Sequence, residues 1–101
     1  MREHRLANRK RIREWARIIL DERRCCVLCT IVDISDTGAR LAVRDPDLPA
    51  SFFLFRKADN SLREAVVVRR EYQFLGVQLA APLDLASDKA KSLLALQASM
   101  K

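Results

Sequence analysis

Between Trp15 and Ala80 the apolar residues recur every second position and turn formers keep interrupting them; this period of two most limits the folds open to the chain. "WARIILD" (15–21) sets Ala16, Ile18 and Leu20 against Trp15, Arg17 and Ile19. After a charged turn at Asp21–Arg24 comes "CCVLCTIVD" (25–33), then "ARLAV" (39–43), with Ala39, Leu41 and Val43 on one face and Arg40 on the other. "RDPDLPA" (44–50) carries two prolines and two aspartates and reads as a loop. "SFFLFRK" (51–57) is the next strand and "ADNS" the next turn, followed by the strands "LREAVVVRRE" (62–71) and "YQFLGVQLA" (72–80). Six short antiparallel strands with no helix among them to cover a face close most economically into a barrel, which removes exposed edges.

Pro82 ends this pattern, and Asp84 or Ser87 can cap a helix running to about Met100. Leu85, Ala86, Ala90, Leu93, Leu94, Leu96 and Met100 form one broad stripe at helical spacing, so the helix is expected to plug or cover the barrel. The organisation read from the 101 residues is therefore a single domain in three parts: a flexible basic arm over 1–14, a barrel over 15–81 and a C-terminal helical segment over 82–101. Half the residues are apolar, which places the chain among folded domains although 32% are charged.

The net charge of +6 is unevenly placed: residues 1–24 hold nine Lys or Arg against four acids, whereas the rest hold ten against nine. A basic arm on a nearly neutral body is an anion-binding device, for nucleic acid, a nucleotide phosphate, an acidic lipid surface or an acidic protein. Cys25, Cys26 and Cys29, an odd number in an apolar run, suit a reducing compartment and the role of small buried hydrophobes better than disulfides or a zinc site. No apolar stretch approaches the ~20 residues of a membrane helix, and no signal core follows the N-terminal arginines, so the expected location is the cytoplasm.

The loop "VDISDTGARLAV" (32–43) carries the candidate chemistry. Its Asp36-Thr37-Gly38-Ala39 resembles the active-site loop of retroviral-type aspartic proteases, whose chemistry needs two close carboxylates. That family's glycine-rich flap has no counterpart in a chain whose only glycines are Gly38 and Gly76, "FLGVQ" lacks the arginine of its second motif, and Ser35 stands where it has an apolar residue. His4 is the only histidine, which leaves Ser-His-Asp and Cys-His arrangements unsupported, and no Gly-rich phosphate loop occurs. The chain is not expected to be an enzyme.

Shifting the frame gives Asp33-x-Ser35-x-x-Gly38, and upstream "RLANR" supplies Arg5 and Arg9 with three residues between them. An R-x-x-x-R arm, two strands and then D-x-S-x-x-G is similar to the signature of the PilZ domain family. "RIREWARI", "CTIVDIS", "GARLAV", the Asp/Pro loop before "FFLF", and "VVVRREYQFLGVQLA" also resemble the strands of short stand-alone PilZ domains, over about residues 3–80. The resemblance implies a six-stranded antiparallel PilZ-type barrel that binds cyclic di-GMP, often as two stacked molecules. It also implies roles by position: Arg5 and Arg9 wrap over the ligand, Asp33 and Ser35 hold a guanine edge, and Gly38 shapes the loop. No metal or cofactor is implied beyond that ligand, and the signal must pass to a downstream protein.

Chemistry independent of the family is compatible with these roles. Arginine's planar fork matches guanine's O6/N7 edge and phosphate oxygens, and a carboxylate suits the donors at N1 and N2. An arm with few apolar anchors gains order when an anion neutralises it, and that change of shape is a natural signal. Each residue also has a plainer reading: Arg5 and Arg9 are two among many arm charges, with Arg9 and Arg13 forming a second such pair, and Asp33 and Ser35 can cap a turn. Two other functions follow from the same residues: an adaptor with this barrel that ignores nucleotide, and a basic nucleic-acid binder. The latter is disfavoured because Trp15 is the only aromatic near the arm.

Overall fold

The computed structural model describes residues 10–20, 26–45 and 47–98, with side chains up to residue 95. The alternation closes as expected: the strands are β1 (Lys10–Ile19), β2 (Cys26–Ile34), β3 (Gly38–Ala42), β4 (Ser51–Arg56), β5 (Ser61–Glu71) and β6 (Phe74–Leu79). They form a closed antiparallel barrel in the order β1-β2-β3-β6-β5-β4, followed by one helix, α1 (Asp88–Ala98).

Inward positions fall into cross-strand rows. Ala16 faces Cys29, Ile31 faces Leu41, and Leu41 in turn faces Leu75, all of them buried. Phe52 and Leu54 of β4, with Ala65, Val77 and Leu79, complete an interior that is apolar throughout. Among the described residues no polar or charged side chain is buried, so hydrophobic transfer and tight packing hold the barrel.

The seam that closes the barrel is its shortest. β4 pairs with β1 only over Arg17–Ile19 against Phe53–Phe55, so among the described residues no strand pairs with Lys10–Ala16 on that side. There Glu14 and Arg56 form a two-pronged ion pair, with Nε and Nη2 of the arginine donating to the two carboxylate oxygens at 2.6 and 2.9 Å. The Arg56 bonds hold the Glu14 carboxyl below the usual 4.5.

The helix lies on the outside of the barrel and does not fill it. Ile19, Phe55 and Leu62 point outward from β1, β4 and β5, and Ala90, Leu93 and Leu94 pack down on them. Ser87 is the cap, its hydroxyl accepting from Ala90 N at 3.2 Å, whereas Asp84 shapes the preceding turn by accepting from Ala86 N at 3.0 Å. Leu85 and Ala86 remain exposed, so the buried stripe is narrower than its spacing predicts.

Two boundaries differ from the sequence reading. β1 begins at Lys10, so residues 10–14 of the expected arm are strand, paired with β2 from Lys10 opposite Ile34. The hairpin between β5 and β6 turns at Tyr72-Gln73, where Gln73 adopts φ 61°. No helix among the described residues is long and apolar enough to cross a membrane.

Candidate functional site on the outer face of β2, β3, β5 and β6

Strict alternation from buried Ile31 would turn the Asp33 side chain into the core. A β-bulge prevents this. On β2 the pairing with β3 slips between Ile31 and Asp33, so that Ile31 stands opposite Leu41 and Asp33 opposite Arg40. Arg40 is exposed and its neighbours Ala39 and Leu41 are buried, so Asp33 shares the outward face with Arg40. The pairing with β1 slips as well, between Arg11 and Glu14, and brings Arg11 opposite Asp33. Two irregularities at one place turn a carboxylate outward, a recurrent use of bulges.

Registers on the remaining strands extend this row. Arg40 stands opposite Gly76 of β6, and Gly76 opposite Arg69 of β5, giving Arg11, Asp33, Arg40, Gly76 and Arg69 in sequence across five strands. The row above begins with Ser35, whose backbone N donates to Gly38 O at 2.9 Å, and continues through Gln78 opposite Gly38. Ser35 Oγ accepts weakly from Thr37 N and donates weakly to Gly38 O, each at 3.4 Å, so its hydroxyl takes part in the turn.

Gly38 is favoured by close approach and not by backbone conformation. No glycine has positive φ, but a Cβ at Gly38 would lie 3.0 Å from the Val77 carbonyl oxygen. The hairpin is pinned from below by Arg63, whose Nη2 donates to Asp36 O at 2.7 Å and Nε to Ala80 O at 2.6 Å, and from the side by Leu79 N donating to Thr37 O at 2.8 Å. The loop that carries the motif is thus rigidly tied to β5 and β6.

Beside it, a groove of about 390 Å³ runs between Arg40 and Arg69 over the glycine floor of Gly38 and Gly76. Arg40 is held on its far wall, stacked over Phe74 at 4.2 Å and donating to Glu71 Oε1 at 3.0 Å, and Arg69 lies 3.7 Å from the other Glu71 oxygen. One carboxylate therefore serves two guanidinium groups. Arg40, Arg69, Glu71 and Gly76 escaped the sequence reading because they come from three strands, and only the register unites them. The sole sequence signal was Gly76 inside an otherwise unbroken strand pattern, a sign of close backbone approach.

Of the expected site residues, Asp33, Ser35 and Gly38 are brought together on this face. Arg5 and Arg9 lie outside the described residues. Cys29 is buried in the core, where burial pushes its thiol up to about 12, and Cys26 is half-buried under the helix; Cys25 lies outside the described residues. Among the described residues no cluster of His, Cys, Asp or Glu is arranged to hold a metal. No protein-family model, curated protein or solved structure matches the chain.

Proposed function

We propose that the protein is a non-enzymatic receptor for cyclic di-GMP of the PilZ type, acting in bacterial second-messenger signalling. The ligand is gripped between Arg5 and Arg9 of the N-terminal segment and the barrel face bearing Asp33, Ser35 and Gly38. The observation that carries the reading is the register of β1 on β2: Lys10 opposite Ile34 and Arg11 opposite Asp33. Arg9 is one peptide bond from Lys10, so the chain that carries the arginine motif enters the barrel at the end of the strand pair that bears Asp33, which supports a site shared by the two motifs. Asp33 offers a carboxylate to the N1/N2 edge of guanine, and the arm arginines take the phosphates and the O6/N7 edge. Arg40 and Arg69 widen the cationic surface toward the second phosphate or a second stacked molecule. Binding orders the arm, and the changed surface is the signal to a downstream protein.

Calorimetry with cyclic di-GMP tests this on the full chain. The wild type is expected to bind, and Arg5→Ala, Arg9→Ala and Asp33→Ala each to lose about 1–3 kcal/mol, roughly 5- to 150-fold. The absence of binding heat, or equal affinity for unrelated polyanions, rejects the reading. A nucleotide-independent adaptor is the second reading, favoured by apolar surface that the barrel does not bury: Trp15 is 70% and Leu28 46% exposed.

A further inference from the structure

The outward row Leu28–Arg17–Phe55–Leu62 crosses β2, β1, β4 and β5. The helix covers its second half, where Phe55 and Leu62 are buried, and leaves Leu28 and the neighbouring Trp15 exposed. Two grooves flank these two side chains and share both of them. One, of about 230 Å³, is also lined by Ala16, Arg17, Phe55 and Lys57. The other, of about 730 Å³, runs over Thr30 and Ala42 to Phe74 and is bordered by Arg44.

We infer that this face is a docking site for an acidic, apolar-faced segment of a partner protein. Charge selects the sign of the occupant. Among the described residues no carboxylate lines either groove, whereas Lys57 borders one and Arg44 the other, and Glu14, which precedes Trp15, is engaged by Arg56. A second copy of the chain would bring like charges together, which argues against self-association. Shape fits the class: the two recesses beside Trp15 and Leu28, of about 230 and 730 Å³, can receive the inserted side chains of a folded or extended protein segment, which a bilayer does not offer. An exposed tryptophan between two such recesses, with cations at the rim, has the composition of an interface hot spot.

The inference does not depend on the nucleotide reading, and its test is run without nucleotide. Randomised 12-residue peptides are selected for binding to the immobilised full chain, and the selected peptides are titrated by the emission of Trp15, the only tryptophan. Selected sequences should be rich in Asp or Glu with apolar residues between them. They should weaken by about 10- to 30-fold on Leu28→Ser and on Lys57→Glu. Trp15→Ala, followed by calorimetry, should weaken them similarly while the melting temperature stays put, because the side chain is largely exposed. The inference is overturned by basic or uncharged selected peptides, by binding indifferent to all three substitutions, by co-sedimentation with phosphatidylglycerol vesicles that needs Trp15, or by Trp15-dependent dimerisation of the chain alone.

Discussion

The Glu14–Arg56 pair should be worth more than its surface position implies, because it extends the one seam where the barrel has least backbone pairing. Beyond Arg17–Ile19 no strand hydrogen bonds join β1 to β4, and the two-pronged contact is what holds Glu14 to Arg56 across the gap. Both side chains retain only 22–24% exposure, so solvent screens them less than a typical exposed pair of about 0.2–1 kcal/mol. Hydrogen bonds to charged groups contribute about 1.5–3 kcal/mol, and partial desolvation offsets part of that, which leaves a coupling of about 1.5 kcal/mol. For a domain of this size that corresponds to a melting shift of roughly 6–12 °C.

The measurement is a double-mutant cycle of Glu14→Gln and Arg56→Met, followed by urea unfolding at pH 7. Arg56 also reaches Asp59 at 3.1 Å, so Glu14→Gln leaves the guanidinium a partner, whereas Arg56→Met leaves a half-buried carboxylate without its cation. Arg56→Met should therefore be the costlier single change. The pH dependence has a fixed sign: the folded-state pKa of Glu14 lies below 4.5, so its stabilisation is fully present above 4.5 and is lost as pH falls through the folded value. A coupling below about 0.5 kcal/mol at pH 7, or one that is unchanged at pH 2, would refute the reasoning.

Three further outcomes are expected. Gly38→Ala should cost about 1 kcal/mol in thermal unfolding, since crowding of the Val77 carbonyl at 3.0 Å exceeds the ~0.4–1 kcal/mol gained from a stiffer unfolded chain; an unchanged or higher melting temperature would contradict it. On the receptor reading, Glu71→Gln should tighten cyclic di-GMP binding several-fold in calorimetry by releasing Arg40 and Arg69 from their shared counter-ion, whereas weaker binding would show that Glu71 itself contacts the ligand. In a Cys25→Ser, Cys26→Ser background, Cys29 should react with a thiol reagent at pH 8 only as fast as the barrel unfolds, because its thiol is buried with a pKa near 12; rapid labelling that does not track unfolding would disprove that.

The strands were legible wherever one face is buried and the other is not. Ala39, Leu41 and Val43 lie inside with Arg40 outside, as their alternation requires, because a slip of one residue would expose the whole set. The β5–β6 hairpin was read without its turn because Tyr72-Gln73 carries none of the usual turn formers; Gln73 accepts a positive φ imposed by the flanking pairs. The start of β1 was hidden because Lys10–Glu14 is charged, and strand there is dictated by pairing with β2 and not by an apolar face. At the site, the three residues of the D-x-S-x-x-G motif were visible because they lie within six positions of one another, whereas the groove that joins Arg40 to Arg69 exists only through cross-strand register.

On the receptor reading, the bulges decide how a signal leaves this molecule. Arg11, opposite Asp33, and Trp15, opposite Thr30, belong to the same strand, and the slip between Arg11 and Glu14 lies between them. Immediately before Trp15 the strand is fastened to β4 by Glu14 and Arg56. On that reading a ligand held by the chain ahead of Lys10 acts on a stretch of β1 that β4 does not flank, and a bulge separates that stretch from the fastened part. The interior beyond it is fully apolar and closed, so deforming it to reach the Trp15 face would expose core surface at a cost no single ligand contact offsets. On the receptor reading the messenger's effect is accordingly carried by the arm and the bound nucleotide as a new composite surface, while the Trp15 face offers a constant anchor for the partner that reads it.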